Sequence, residues 1–302
     1  MPTATKEDIT ACFRLLLGRS PNPEEVAGHY ALAGGELEDV VRSYLQSLEF
    51  QRRGLLQSGT DAKLIRLKHN LSIYVDAADQ LIAPNITPDG YEPEVTDLLL
   101  KYARGCVIDI GANCGYFSLL ACSLGATVYA FEPLERNVQL LMASRALNRF
   151  ANLHLIAAAA SDQAGTVSIG WTYTNAIVGE ISTNPDSALS ARYVPAVRVD
   201  ACVPDDAPIS LIKIDVEGHE WKALTGASRI IARCRPVILS EFAPGWLLAN
   251  SHVSGRDYLE RLVSWGYRIA VAGSPEVNTV TAILQKAEGV DHIDLLAVPS
   301  SL

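Results

Sequence analysis

The chain lacks several things that would place it outside the ordinary run of water-exposed enzymes. No apolar run approaches the roughly 20 residues needed to span a bilayer. Its start, MPTATKEDIT, has no basic segment followed by an apolar one, so no secretory signal is expected there. The six cysteines (Cys12, Cys106, Cys114, Cys122, Cys202 and Cys234) form no Cys-x-x-Cys pair and no zinc-like spacing to histidine. A reduced, cytoplasmic setting follows as an expectation. A basic excess is also missing: 25 Lys and Arg stand against 34 Asp and Glu, a net charge of −9. Nucleic acid is therefore a poor partner, since its binding relies on neutralising phosphates with Lys and Arg. There is no internal repeat and no low-complexity segment.

What is present is an ordinary globular composition, 49% hydrophobic and 20% charged over 302 residues, with enough length for two domains. Residues 1–60 read as a helical module. Ile9, Phe13, Leu16 and Leu17 form one stripe of helical period, Asn22-Pro23 opens a second helix, and Leu37, Val40, Val41, Tyr44, Leu45 and Leu48 mark a third. From residue 61 to 302 apolar strand candidates alternate with helical stripes. The candidates are 107–110, 128–131, 153–157, 211–214, 237–239, 267–271 and 295–298. Such alternation predicts an α/β fold with a mostly parallel sheet covered on both faces, binding ligand beyond the carboxyl ends of its strands. Asp109, Glu132, Asp162, Asp215 and Glu241 follow strand candidates and are expected along that rim. Residues 165–200 break the pattern and suggest an inserted hairpin and loop.

Three motifs carry chemistry. In VIDIGANCGYFS (107–118) a strand runs through Asp109 into a turn with Gly111 and Gly115, then a helix. Such a turn is expected to bring backbone N–H groups near a nucleotide-like cofactor, with glycines keeping Cβ atoms out of the way. Its Gly-x-x-x-Gly spacing departs from the Gly-x-Gly-x-x-Gly of dinucleotide binders, which argues against an NAD-dependent oxidoreductase. Second, TVYAF (127–131) ends at Glu132-Pro133, where an acid can accept from ribose hydroxyls. Third, LIKIDVEGHEW (211–221) is another buried strand with an acidic tip and a helix start.

Together with Tyr91-Glu92, Asn137, Ser161-Asp162 and RPVILSEF (235–242), these motifs resemble the FkbM-type S-adenosylmethionine (SAM)-dependent methyltransferases over about residues 70–300. The resemblance implies a Rossmann-like sheet of seven strands with one antiparallel, for which 295–298 is the candidate. It implies SAM as cofactor and O-methylation of a hydroxyl on a sugar, glycan or polyketide-like metabolite. LLGRSPNPEE (16–25) and SLEF (47–50) resemble a small bacterial helical module that accompanies enzymes of surface-glycan assembly, which tilts the acceptor toward a sugar. Packing, homodimerisation and substrate recognition all stay open as its role. A non-catalytic SAM-binding scaffold or sensor is the rival reading.

On this resemblance Gly111, Ala112, Asn113 and Gly115 go to the methionine side of the cofactor, and Glu132 to the ribose. Ser161 and Asp162 go to the adenine edge, Asp109 to the turn or the methionine amine, and Glu92 joins the same group. Asp215, Glu217 and His219 are the catalytic candidates. His219, with an ordinary pKa near 6.5, could take a hydroxyl proton; the alternative is a partly exposed residue at a helix start. Glu220 reads as a first-turn charge against the helix dipole. Lys213 is placed to pair with a carboxylate or position the acceptor. Mg²⁺ is not favoured, and if a metal binds, Asp215 and Glu241 are its ligands. Cys114 reads as filling space beside the cofactor. Trp171, Tyr173, Tyr193, Trp221 and Trp246 could stack on sugar rings.

Overall fold

The computed structural model describes residues 3–17, 19–45, 47, 49, 62–172, 175–179, 192–274 and 276–300. Leu48, Tyr173 and the Trp171 side chain, all singled out above, lie outside the described residues. The chain divides into two units, Met1–Asp61 and Ala62–Leu302.

In the first unit α1 (Lys6–Leu15) and α2 (Pro23–His29) each begin with a capping box, Thr5 with Asp8 and Asn22 with Glu25. The caps satisfy amides that the first turn of a helix leaves unpaired. With α3 (Leu37–Leu45) these helices bury Ile9, Phe13, Val40 and Tyr44. Arg19 bridges Glu25 and Glu49 and lies over the Phe13 ring, fastening the α1–α2 loop.

The second unit opens with an antiparallel pair, β1 (Ala62–Arg66) and β2 (Ser72–Asp76), followed by α4 (Pro93–Tyr102). Its main sheet takes β3 (Cys106–Ile110), β4 (Thr127–Phe131), β5 (Leu153–Ile156), β10 (Ile209–Ile214), β11 (Val237–Phe242), β12 (Tyr267–Val271) and β13 (Ile293–Pro299). Their spatial order is β12-β13-β11-β10-β3-β4-β5. Only β13 runs against its neighbours β11 and β12 in this sheet. All seven strand candidates are strands, and 295–298 is the antiparallel one. The central strands are buried on both faces, which is why they read as continuous apolar runs rather than as an alternation.

Helices α5 (Tyr116–Ser123), α6 (Glu135–Asn148), α7 (Glu220–Gly226), α8 (Ser228–Cys234), α9 (Gly255–Ser264) and α10 (Val280–Ala287) complete the layers. Two hydrophobic clusters divide the core, one around Ile108, Ile212, Ile238 and Tyr258, the other around Val107, Leu119, Leu141 and Leu211. Within 165–200, β7 (Gly165–Thr172) and β8 (Asn175–Gly179) pair antiparallel. It belongs to a separate four-stranded sheet with β6 (Ala159–Ala160) and β9 (Arg192–Val197). None of the described helices is long and apolar enough to cross a membrane.

Candidate active site

A cavity of about 520 Å³ lies at the carboxyl ends of β3, β4, β10 and β11, a volume in the range of small-molecule sites. Its wall includes Glu92, Gly111, Ala112, Asn113, Glu132, Asp215, Glu217, His219 and Glu241 from the sequence reading. Asp109, Gly115, Ser161 and Asp162 are not part of it.

The glycine turn works differently from the expectation. Gly111 and Ala112 donate their N–H groups to the Phe131 carbonyl, and Gly115 donates to the Ala112 carbonyl. Asn113 N donates to Glu132 Oε2 at 2.8 Å, and Cys114 N to Asn113 Oδ1 at 2.7 Å. Every amide of the turn is thus already used within the protein. The turn offers shape rather than an anion cradle. The glycines are also demanded by the protein itself. A Cβ on Gly111, at φ +81°, would sit 1.9 Å from the Asp215 carbonyl oxygen, and one on Gly115 would sit 2.1 Å from Leu141 Cδ1. Buried Asp109 accepts from the Ser118 hydroxyl at 2.6 Å, tying β3 to α5 beneath the turn. Cys114 is buried, and burial pushes its thiol up to about 12, so it packs and does not react.

Glu132 is 3% exposed. Its oxygens accept from Asn113 N and Leu134 N, each at 2.8 Å, and Asn137 also bonds to it. Burial pushes its carboxyl up to about 7 against the pull of those donors.

At the opposite end Lys213 is buried, with Nζ 2.9 Å from Asp215 Oδ2 and 4.8 Å from the centre of the Phe117 ring. Burial works against its charge, but Asp215, Asp109 and Glu92 together hold the ammonium above its usual range. Ligand atoms of Asp215, Glu217 and Glu241 lie within 4.8 Å of one another, a trio that could hold a cation. Burial and the charges of Asp215, Glu217 and Glu220 push the Glu241 carboxyl far above the carboxylate range. Burial raises Asp294 to about 6.

Glu217 lines the cavity from a left-handed backbone, φ +53°, followed by Gly218 at φ +91°. Asn250 Nδ2 and Ser251 Oγ hold that turn by donating to the Glu217 and Gly218 carbonyls, each at 2.6 Å. Glu220 is no solvated first-turn charge. It is 1% exposed, and its Oε1 accepts from Val216 N and Gly218 N at 3.1 Å. His219 is likewise not a partly exposed helix start: it is 2% exposed, and burial lowers its imidazole to about 4.

Ser161 and Asp162 stand behind His219, with the Ser161 hydroxyl 3.1 Å from His219 Nε2. Of the aromatic candidates with described side chains, Trp246 lines the cavity. Sequence reasoning missed Asp291 and His292, which reach the wall from the turn before β13, because nothing local marks that turn. It also missed Leu81, Ile82 and Ile86, apolar wall residues that precede α4.

Comparison with known proteins decides the family. A model of the methyltransferase FkbM domain matches residues 109–269, more than half of the chain. The chain belongs to the FkbM methyltransferase family. Among solved structures, the FkbM methyltransferase of Methylobacillus flagellatus is 16% identical, with a TM-score of 0.41, covering 95% of this chain and 58% of its own. The FkbM chain described here thus spans little more than half the length of that relative. The precorrin-6y C5,15-methyltransferase of Geobacter metallireducens is 15% identical at TM-score 0.39, covering 73% of this chain and 90% of that one. TYW2 of M. jannaschii, solved with AdoMet, is 15% identical at TM-score 0.40, covering 78% and 85%. No curated protein matches the chain.

Proposed function

We propose that this protein is a SAM-dependent O-methyltransferase whose acceptor is a hydroxyl of a sugar, glycan intermediate or polyketide-like metabolite. The observation that carries the reading is one cavity with Glu132 at one end and the Lys213–Asp215–Glu217–Glu241 group at the other. SAM, when bound, supplies a methyl group on a sulfonium whose leaving thioether needs no acid. What remains for the protein is to align the reactants and accept a proton from the hydroxyl.

The residues present fit such a cofactor. Glu132 uses two backbone donors and Asn137, and a carboxylate has further lone pairs for ribose hydroxyls. The turn from Gly111 to Asn113 bounds the cavity without a Cβ at Gly111. Asp109 supports the turn from beneath, and Gly115 closes it by donating to the Ala112 carbonyl.

For the proton, Asp215 and Glu217 are the carboxylates we assign, with Lys213 holding Asp215 in place. His219 is a weak base at its lowered value and is bonded to Ser161, so it is not assigned this step. Glu92, Tyr91 and Trp246 bound the remaining space, and the two aromatic faces suit a sugar ring. The carboxylate-rich wall supports an acceptor without a phosphate backbone. Six free cysteines support a reducing, cytoplasmic setting. No step here requires Mg²⁺.

Calorimetric titration with S-adenosylhomocysteine, against NADH and with Glu132→Ala as control, tests the cofactor. Micromolar binding that weakens in the variant is expected, and binding of NADH alone would overturn the reading. Transfer of labelled methyl from SAM to a panel of hydroxylated sugars then tests the acceptor. Asp215→Asn with Glu217→Gln should abolish that transfer; undiminished turnover would remove them from the chemistry.

A further inference from the structure

Lys213 rises from within β10 to the cavity wall, where its side chain, 7% exposed, lies between Phe117 and Asp215, two further wall residues. Its Nζ is 2.9 Å from Asp215 Oδ2, the one hydrogen bond that the ammonium makes among the described residues. An ammonium has three N–H groups and no lone pair, so Lys213 can still donate. The Asp215 side chain is 33% exposed and uses only Oδ2 for Lys213, which leaves Oδ1 to accept. A donor and an acceptor therefore stand side by side on the wall, one hydrogen-bond length apart.

A hydroxyl answers both at once. Its oxygen has one proton to give and two lone pairs. With the proton directed at Asp215 and one lone pair at Lys213, the second pair stays free and its direction is fixed by the other two contacts. A neutral amine nitrogen has N–H groups for Asp215 but a single lone pair. Once Lys213 occupies that pair, nothing remains to attack a methyl group. Resting on the SAM reading above, we propose that Lys213 and Asp215 clamp the acceptor hydroxyl between them, and so admit oxygen nucleophiles and reject nitrogen. The free lone pair forms the O–C bond as the C–S bond breaks. The electrons of that bond leave with sulfur as a neutral thioether, and the hydroxyl proton passes to Asp215. Lys213 is then a catalytic residue that touches the acceptor, beyond its hold on Asp215. Asp109 and Glu92 also act on the ammonium, so an acceptor group with a permanent negative charge gains little there, whereas a neutral hydroxyl fits.

The test is transfer of labelled methyl from SAM, by the full chain, to pairs of hexose methyl glycosides in which an amino group replaces one hydroxyl. It is run at a pH where the amines are partly unprotonated, and the methylated atom is identified by mass spectrometry. The unmodified protein should favour the hydroxyl over the amine in its place by about a hundredfold in kcat/KM. Lys213→Met should slow the hydroxyl by about a hundredfold and leave the amine its lone pair, so that the preference closes to within about threefold. Lys213→Arg keeps a charged donor and should retain the preference. If Lys213 merely held Asp215, both acceptors would slow together in Lys213→Met, and a preference that persists there overturns the clamp. Equal use of the amine by the unmodified protein overturns it too, and needs no variant should Lys213→Met not fold. Affinity for S-adenosylhomocysteine should stay within about twofold in Lys213→Met, and a parallel loss would trace the defect to the cofactor and overturn the assignment. Transfer to no hydroxyl of the panel removes the acceptor reading, failure to bind S-adenosylhomocysteine removes the SAM reading, and each takes this inference with it.

Discussion

The two ends of the cavity are built from the same residue type and behave in opposite ways. At the Glu132 end one buried carboxylate meets three donors, Asn113 N, Leu134 N and Asn137, and rises only to about 7. At the Asp215 end Glu241 faces Asp215, Glu217 and Glu220 with Lys213 as the near cation, and it is held protonated far above its normal range. Burial alone does not separate them, since Glu132 is the more buried of the two. The difference is what each faces: Glu132 meets donors, whereas Glu241 meets the charges of Asp215, Glu217 and Glu220. The glycine turn aims the Asn113 amide at Glu132 and Leu134 adds a second, whereas Glu241 lies within β11, where the amides serve the sheet. One end is complete as folded; the other carries a charge imbalance that an arriving proton or cationic group would relieve.

The sharpest way to break this contrast is Gly111→Val, because Gly111 joins the two ends. Its positive φ and the 1.9 Å approach to the Asp215 carbonyl leave no room for a side chain. A loss of more than about 3 kcal/mol in urea unfolding is expected. A variant of native stability would show that the turn does not set the spacing. Lys213→Met comes next, leaving Asp215 and Asp109 without their shared cation. It should cost roughly 3 kcal/mol, largely recovered when Asp215→Asn is added. At the other end Glu132→Gln should weaken S-adenosylhomocysteine by about ten- to a hundredfold in calorimetry while leaving the Asp215 end intact.

A pH series sharpens the comparison with a smaller effect. Folding raises the Glu241 value above its ordinary 4.5, so folding favours its protonated form. The stability it contributes is complete below about pH 4.5 and is lost as pH rises toward the folded value. Glu241→Gln should therefore flatten the fall in thermal stability of the ligand-free protein on the alkaline side. A fall that ends by about pH 7 belongs instead to Glu132, Glu220 or Asp294, which end their own changes near pH 7, 7 and 6, and an unchanged slope above pH 7 would remove Glu241 as its cause. The smallest effect is that of a chelator. Addition of EDTA should leave S-adenosylhomocysteine affinity within about twofold, because among the described residues the carboxylate trio that could hold a cation lies at the Asp215 end.

Much of this was legible in the chain. Strands buried on both faces announce themselves as apolar runs, and acids at their tips lie where a parallel sheet binds. Lys213 was legible too, as the single cation alternating into an apolar strand. The glycines answer to distant neighbours: Gly111 avoids the Asp215 carbonyl and Gly115 avoids Leu141, contacts 104 and 26 positions away that no local pattern reveals. Glu220 reads as a solvated first-turn charge, and His219 as either a base or a partly exposed helix start, because the turn held by Asn250 and Ser251 is not visible in the local pattern. Asp291 and His292 reach the wall only through the reversal of β13.

That reversal has a consequence for how the rim tolerates change. In a parallel sheet each strand offers the rim its carboxyl end, just where the next helix must begin, so changes there disturb the framework. By running backwards β13 brings its leading edge to the same rim, and the Asp291–His292 turn arrives with no helix to launch. Length and chemistry can vary at that point with little strain on the parallel strands that form the rest of the rim.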